Sequence, residues 1–588
     1  MHRERRIVAE PHIASSGPRD AACDCMLCCK FRRHTRCASI VYTWRIRRRS
    51  VCTLVARGYD KNMAWDATKE ALLGALSDKI DRDADEADRA SLHNLAAAMY
   101  GRFPAEDMRL RSVEDLYGCL CGMLRFMRSH DAEGPKVSIF NPDVENDGWE
   151  SHHTSIAVLC QSIPFCTASV RGELNRRNLM IHTIISANLG VERAADGQLL
   201  AVLPGQADAA PAQAGEALLF FEIERHARLQ DLEELRTTLI DILGEVAVVV
   251  ADFPLMCQRL QDAADAIKGS ECIEHSLREE AVAYLVWMEH DHMTLLGYEY
   301  LEVDPPGSAQ GITLREGASL GLLRKRNTRG MDDLAADLTN LSHAELLQKQ
   351  LSFSKSRRRS RVHRSSYPDY VEVREYDSEG RVVGQHRFIG LYTSLVYNTD
   401  PRNIPILRRK FERVLEMSLQ HWSDHEAREL VRTLQVFPRD ELFQSSIEEL
   451  CSTVNAVNRI QERRQIRVFV RRDVHGKFVN CLVYLPRDHY RTELREKIEA
   501  ILGETFHAEE LEFNTFYSES VLVRVYFVMQ VNPAVALDYD IAELQSQIEQ
   551  ATLSWEDRLR LRLLEELGDE TGEAIFRRLG RGFAPGYQ

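Results

Sequence analysis

At 588 residues the chain exceeds what one hydrophobic core can organise and predicts about three to five domains. Its 44% apolar and 28% charged composition is that of an ordinary globular protein. A net charge of −14 argues against a nucleic-acid partner, and no apolar run reaches the roughly 20 residues of a membrane helix, so no membrane partner and a cytoplasmic location are expected.

Residues 1–62 hold 14 Lys and Arg against 5 Asp and Glu, and six of the 14 cysteines. Cys25-x2-Cys28-x5-His34-x2-Cys37 offers in principle four tetrahedral zinc ligands. The segment is arginine-rich and irregular, which favours a disordered tail or a translated leader upstream of a start at Met63, so no metal site is expected. The other cysteines, such as Cys160, Cys166 and Cys481, sit in apolar settings and read as reduced, buried thiols.

Residues 63–130 read as helical. Leu72, Leu73, Leu76 and Ile80 share a face, a second amphipathic run spans 113–127, and Tyr100-Gly-Arg-Phe-Pro104 separates the two. A packing cap is the simplest role for them. In residues 131–252, strands are expected at 137–142, 153–160, 179–185 and 217–223, with a helix from Pro164 to about Asn178. Residues 194–215 form a polar loop, and a last helix carries Leu232, Leu235, Leu239 and Ile242 on one face. The order β-α-β-β-α predicts a ferredoxin-like α/β sandwich.

Residues 253–292 return to helix. His290 and His292 lie beside Glu289 and Asp291, but neighbouring helical positions diverge in direction, so a cationic helix end is expected rather than a metal site. His152 and His153 form a loop-to-strand pair with no evident partner. Residues 293–405 begin with a strand at 294–303 and end in a hairpin around Asp377-Ser-Glu-Gly380, where glycine supplies positive φ. Between them, Lys355-Ser-Arg-Arg-Arg-Ser-Arg-Val-His-Arg364 either clamps an anionic effector or pairs with acidic neighbours.

Residues 406–462 form a helical connector, with helices at 406–417 and 424–436. Residues 463–550 repeat β-α-β-β-α, with strands at 466–470, 478–485, 511–517 and 521–529. Residues 551–588 form a charged helical linker.

Three segments carry a resemblance: Gly384-Gln-His-Arg-Phe-Ile-Gly-Leu-Tyr-Thr-Ser394, the Ile404-Pro405 step with its basic helix, and Pro438-Arg-Asp-Glu-Leu-Phe-Gln444. They are similar to the N-terminal half of the large bacterial NAD-specific glutamate dehydrogenases. The resemblance implies a multidomain α+β chain in which two ferredoxin-like, ACT-type α/β sandwiches flank a PAS-like mixed-sheet module, joined by helical connectors. It implies an N-terminal regulatory and oligomerisation region, with the dehydrogenase domain lying beyond this chain. The whole enzyme would convert L-glutamate, NAD and water to 2-oxoglutarate, ammonium and NADH. The alternative is a stand-alone, non-catalytic amino-acid-sensing protein.

ACT domains commonly bind amino acids at the turn between the first strand and first helix, which here is Gln161, Ser162, Ile163, Pro164 and Phe165. Helix N-terminal N–H groups suit a carboxylate there. The turn lacks the Asp and Pro-Gly pair of typical amino-acid-binding ACT turns, and a purely structural turn is the other reading. The expected partners are an amino-acid effector and further copies of the chain. No catalytic or cofactor-binding residue is expected, NAD belonging to the full-length enzyme. Gly580-x-Gly582-x3-Gly586 follows a helix, contains Pro585, and fails the dinucleotide fingerprint in spacing and context.

Overall fold

The computed structural model describes residues 68–582, except 129, 131–133, 205–214, 304–311, 316, 326–348, 420–423, 461–462, 519 and 580–581. The Cys25–Cys37 pattern and Met63 lie outside the described residues.

Four helices come first: α1 (68–83), α2 (Glu86–Tyr100), α3 (Ala105–Met108) and α4 (Val113–Met127). Ser112 caps α4, its Oγ accepting the Asp115 N–H at 3.0 Å. Leu76, Leu95, Leu120 and Met123 close over Leu159, Ile185, Leu218 and Phe220 of the first sheet.

That sheet comprises β1 (Lys136–Phe140), β2 (Thr154–Gln161), β3 (Ile181–Leu189) and β6 (Glu216–Ile223), antiparallel in the order β1-β2-β6-β3. Its helix α5 (Cys166–Arg176) follows β2, and a short hairpin pairs β4 (Val191–Arg193) with β5 (Leu199–Val202), the second strand falling inside the stretch 194–215 expected to be a loop. Ile156, Val158 and Phe221 face α5 and the helix after β6, while Ala157, Leu159 and Phe220 face the N-terminal helices. Burial on both faces explains why β2 and β6 read as apolar runs instead of alternating.

The helix after β6, α6 (Leu229–Gly269), runs unbroken for 41 residues with Pro254 inside it. The sequence expectation placed a domain boundary after residue 252, with a separate helical connector over 253–292. An internal proline costs about 3 kcal/mol. Against it stand Leu239, Ile242, Val246, Val249, Met256, Leu260 and Ala263, all buried along the helix, the larger side chains contributing roughly 1.5–3 kcal/mol each. Burial wins, and α6 passes from the first sandwich to the central sheet within one continuous core. Helix α7 (His275–Trp287) ends in a π turn at Met288–His292. There His290 Nδ1 and His292 Nδ1 lie 2.6 and 2.8 Å from the carbonyls of Val286 and Trp287, so both imidazoles cap the helix end.

The central sheet, expected to be mixed, is antiparallel among its described strands, in the order β10-β11-β12-β7-β8: β7 (Met293–Val303), β8 (Ile312–Leu314), β10 (Leu351–Lys355), β11 (Asp369–Tyr376) and β12 (Val382–Tyr392). A two-residue strand, β9 (Leu320–Gly321), also pairs with β7. The β11–β12 turn closes as expected, with Gly380 at φ 76° donating its N–H to the Asp377 carbonyl at 3.0 Å.

Five connector helices follow: α8 (Ser394–Asn398), α9 (Leu407–Leu419), α10 (Asp424–Gln435), α11 (Arg439–Gln444) and α12 (Ile447–Ile460). The second sandwich has β13 (Arg467–Arg472), β14 (Phe478–Pro486), α13 (Thr492–Phe506), β15 (Glu510–Tyr517), β16 (Leu522–Gln530) and α14 (Ile541–Thr552), with sheet order β13-β14-β16-β15. Both sandwiches share one wiring, in which the outer strand beside the first core strand comes from the N-terminal side. Val483, Val525 and Phe527 pack on α13 and α14, while Phe478, Leu482 and Tyr526 join the central core. Helices α15 (Trp555–Leu567) and α16 (Asp569–Leu579) end the described chain, with a Ser554–Asp557 capping box opening α15. Among the described residues no helix is long and apolar enough to cross a membrane, and the cysteines are free thiols.

Candidate ligand turn and charged junction

The turn Gln161–Phe165 joins β2 to α5. Ser162 is buried, its N–H donating to the Gly215 carbonyl at 3.2 Å and its Oγ to Asn188 Oδ1 at 3.2 Å. The Ile163 N–H donates to the Gln161 carbonyl at 2.9 Å. Phe165 adopts φ 74°, and its carbonyl accepts the Ser169 N–H at 2.8 Å to start the helix. Gln161 and Pro164 are exposed. The first N–H groups of α5 have no preceding turn to pair with, as at any helix start.

A residue read only as part of the basic run completes this turn. The His363 ring lies 4.9 Å from that of Phe165, and the His363 backbone N–H donates to Ser169 Oγ at 2.9 Å. Burial, then Arg364 and Arg171, hold the imidazole below the usual histidine range. Beneath the turn, Cys160 and Cys166 are both buried, and their mutual hydrogen bond pushes the Cys160 thiol up and the Cys166 thiol down.

Four members of the basic run, Lys355, Arg357, Arg359 and Arg361, pair with carboxylates from different parts of the chain, while Arg364 donates to the Tyr392 carbonyl at 2.7 Å. Lys355 Nζ reaches Asp369 at 2.9 Å and Asp440 at 3.1 Å. Burial opposes its charge, but Asp369 and Asp440 outweigh it and hold the ammonium above the usual lysine range. Arg357 pairs with Glu509 at 2.8 Å and Arg359 with Glu510 at 3.0 Å and with Glu512, all in the second sandwich or at its edge. Arg361 pairs with Glu245 of α6. Of the two sequence readings, pairing with acidic neighbours describes this geometry.

An ionic layer lies on one face of the central sheet. Arg387 Nη1 donates to Glu299 Oε1 at 2.7 Å, its Nε is 3.3 Å from Glu372 Oε1, and its guanidinium lies 4.3 Å from the Tyr370 ring centroid. His475, from the β13–β14 turn, approaches Glu372 at 3.7 Å. Burial works against the Glu372 charge, yet His475, Arg387 and Arg374 hold its carboxyl well below the usual range. His153 instead stacks on His182 at 4.0 Å.

The segment Pro438–Gln444 is the junction of these parts. Arg439 donates to the carbonyls of Gln435, Phe437 and Thr399 at 3.0, 3.0 and 2.9 Å. Asp440 takes Lys355 of the central sheet. Glu441 accepts from Arg471, Asn480 and Tyr526 of the second sandwich. Lys410 Nζ donates to the carbonyls of Leu442, Phe443 and Ser445 at 3.0, 2.7 and 2.8 Å. The sequence marked this segment by resemblance, but no local pattern signals that each charge serves a different neighbour.

Every described strand pair is antiparallel. Among the described residues there is no parallel βαβ unit of the kind that seats a dinucleotide at a glycine-rich strand-to-helix turn. Among the described residues no cluster of three or more His, Cys, Asp or Glu is placed to hold a metal.

Three family models match the chain: glutamate dehydrogenase ACT1 domain at residues 95–239, helical motif 1 at 404–463, and ACT2 domain at 467–556. The ACT1 and ACT2 spans hold the two sandwiches of shared wiring, and the helical motif holds the junction. The NAD-specific glutamate dehydrogenase of Halomonas elongata is 36% identical over 530 residues, covering 90% of this chain and 33% of the relative. That of Pseudomonas aeruginosa is 39% identical over 496 residues, covering 84% and 30%. That of Mycobacterium tuberculosis is 30% identical over 406 residues, covering 66% and 24%. The chain therefore spans about a third or less of the length of these curated relatives. Matching ACT1, helical-motif and ACT2 segments in the same chain, with relatives of one name aligned across most of it, place it in the family of large bacterial NAD-specific glutamate dehydrogenases.

Proposed function

We propose that this chain is the N-terminal regulatory and oligomerisation region of an NAD-dependent glutamate dehydrogenase acting in amino-acid catabolism. The whole protein interconverts L-glutamate, NAD and water with 2-oxoglutarate, ammonium and NADH. The observation that carries the reading is the pair of sandwiches of one wiring, matched by the ACT1 and ACT2 models of that family. The central module is PAS-like in this reading. Its strand order supports that, being 2-1-5-4-3 when β7, β8, β10, β11 and β12 are counted from one to five.

Regulation follows from an amino acid that binds one arrangement of the modules better than another. The turn Gln161–Phe165 is a proposed seat, favoured by the helix start beside it and by the inter-module contact of Phe165 with His363. A homo-oligomer is supported by β15, an outer strand of its sheet that exposes Phe513 and Tyr517. The test is an immunoblot of native lysate with antibody raised against residues 131–550. A band far above 67.3 kDa supports the regulatory region of an intact dehydrogenase, and a single band at 67.3 kDa or slightly below overturns it.

A further inference from the structure

The two sandwiches share a wiring, but their corresponding turns differ in surroundings. In the first, Phe165 and Ser169 are covered by His363 from the central module. In the second, the turn after β14 leaves Arg487, Asp488 and His489 exposed and borders an open cleft of about 360 Å³. That volume falls within the roughly 300–1,000 Å³ of small-molecule sites. Three pieces of chain form the walls: Arg464–Arg467 leading into β13, Pro486 and His489 of the turn, and Glu549 with Thr552 in the last turn of α14.

The charges of this cleft are incompletely paired. Arg464 is matched by Asp488 at 2.6 Å. Arg467, half-buried, donates only to neutral acceptors, the Ile466 carbonyl at 3.1 Å and Gln465 Oε1 at 3.2 Å, and has no carboxylate partner among the described residues. Across the cleft Glu549 accepts from Gln545 Nε2 at 2.9 Å and has no cationic partner among the described residues. Beside it α14 ends, so the carbonyls of its last turn add the negative pole of the helix. A simple anion would meet Glu549 and that pole, and a simple cation would meet the two arginines. A molecule carrying both charges satisfies both walls.

From this geometry we infer that the cleft between Arg467 and Glu549 binds a free α-amino acid, its carboxylate on the Arg467 guanidinium and its ammonium on Glu549 and the end of α14. The inference rests on the amino-acid-sensing reading and adds a seat distinct from Gln161–Phe165. The cleft joins the connector, the second sandwich and the approach to α15, so an occupant touches three segments whose relative placement regulation would alter.

Calorimetry on the full chain tests it, with each of the twenty standard amino acids as probe and propionate and propylamine as single-charge controls. At least one amino acid is expected to bind, with neither control binding comparably. Arg467→Met and Glu549→Gln should each weaken that amino acid at least about tenfold, as loss of a charge-assisted hydrogen bond does, while Phe165→Glu leaves it unchanged. Circular dichroism of Arg467→Met and Glu549→Gln checks that the fold is kept. Binding that survives both cleft variants but is lost in Phe165→Glu overturns the cleft and leaves amino-acid sensing standing at the first turn. Binding that is unmoved in all three variants also overturns the cleft. Absence of binding by every amino acid overturns the cleft and the sensing reading together.

Discussion

Arg471 donates through Nε and Nη2 to the two carboxylate oxygens of Glu441, at 2.7 and 2.8 Å, across the boundary between α11 and the second sandwich. Asn480 and the Tyr526 hydroxyl add bonds to the same carboxylate at 2.6 and 2.9 Å. Removing one member of such a buried pair strands the other, so Glu441→Ala is expected to cost about 3–5 kcal/mol. The check is the urea midpoint of the transition that reports the second sandwich. Burial opposes the Glu441 charge, but Arg471 and these bonds hold its carboxyl below the usual range. Its stabilisation is therefore present above the unfolded value of about 4.3 and is lost as pH falls through the lower folded value. An acid titration of wild type against Glu441→Gln should show that loss in wild type alone.

Lys410 gives a pH dependence of the same sign in a higher window. Burial, aided by Arg471, pushes its ammonium down to about 7. Between about pH 7 and the unfolded value of about 10.4, the unfolded chain binds the extra proton, so stability rises with pH across that window. Melting curves from pH 7 to 9.5 should show wild type gaining on Lys410→Met. A constant difference would sink this account.

The ion pairs of the chain should differ sharply in worth. Arg387→Met removes a cation with two buried carboxylates, Glu299 and Glu372, and should destabilise by about 3–5 kcal/mol. Arg357→Ala removes a pair whose side chains are 36% and 44% exposed, and should change stability by less than about 1 kcal/mol. Equal effects in denaturant titrations would refute this ranking.

Gly321 tests a close backbone approach. It sits at φ 59°, where a Cβ would lie 2.2 Å from the Leu296 carbonyl oxygen, and its N–H donates to Asp252 Oδ2 at 2.7 Å. Gly148, at φ 80°, has open space where its Cβ would stand. Gly148→Ala should cost about 1–2 kcal/mol for the backbone conformation alone, and Gly321→Ala distinctly more. Thermal melts of the two variants give the comparison.

Much of this architecture was legible because its elements are periodic or sharply punctuated. Tyr370–Tyr376 alternates, Gly380 marks its turn, and Leu494, Ile498 and Leu502 stripe one helix, so the hairpin and α13 stand where expected. The unbroken α6 was not legible, since local propensity at Pro254 argues for a stop and only burial from distant strands overrides it. Positive φ at Phe165 was equally hidden, because nothing in a phenylalanine announces a left-handed turn. The cleft beside Arg467 escaped for a related reason. Its walls lie at residues 464–467, 486–489 and 549–553, separations that no spacing rule connects.

Helix α6 has a mechanical consequence. At 1.5 Å per residue its 41 residues make a rod about 60 Å long, and a hydrogen-bonded rod resists stretching. One end is embedded against α5 and β1, the other against α7 and β7. A tilt of about one degree at either end displaces the other by about 1 Å. Small rotations of the first sandwich therefore arrive at the central sheet as translations, which converts a local adjustment into a lever stroke.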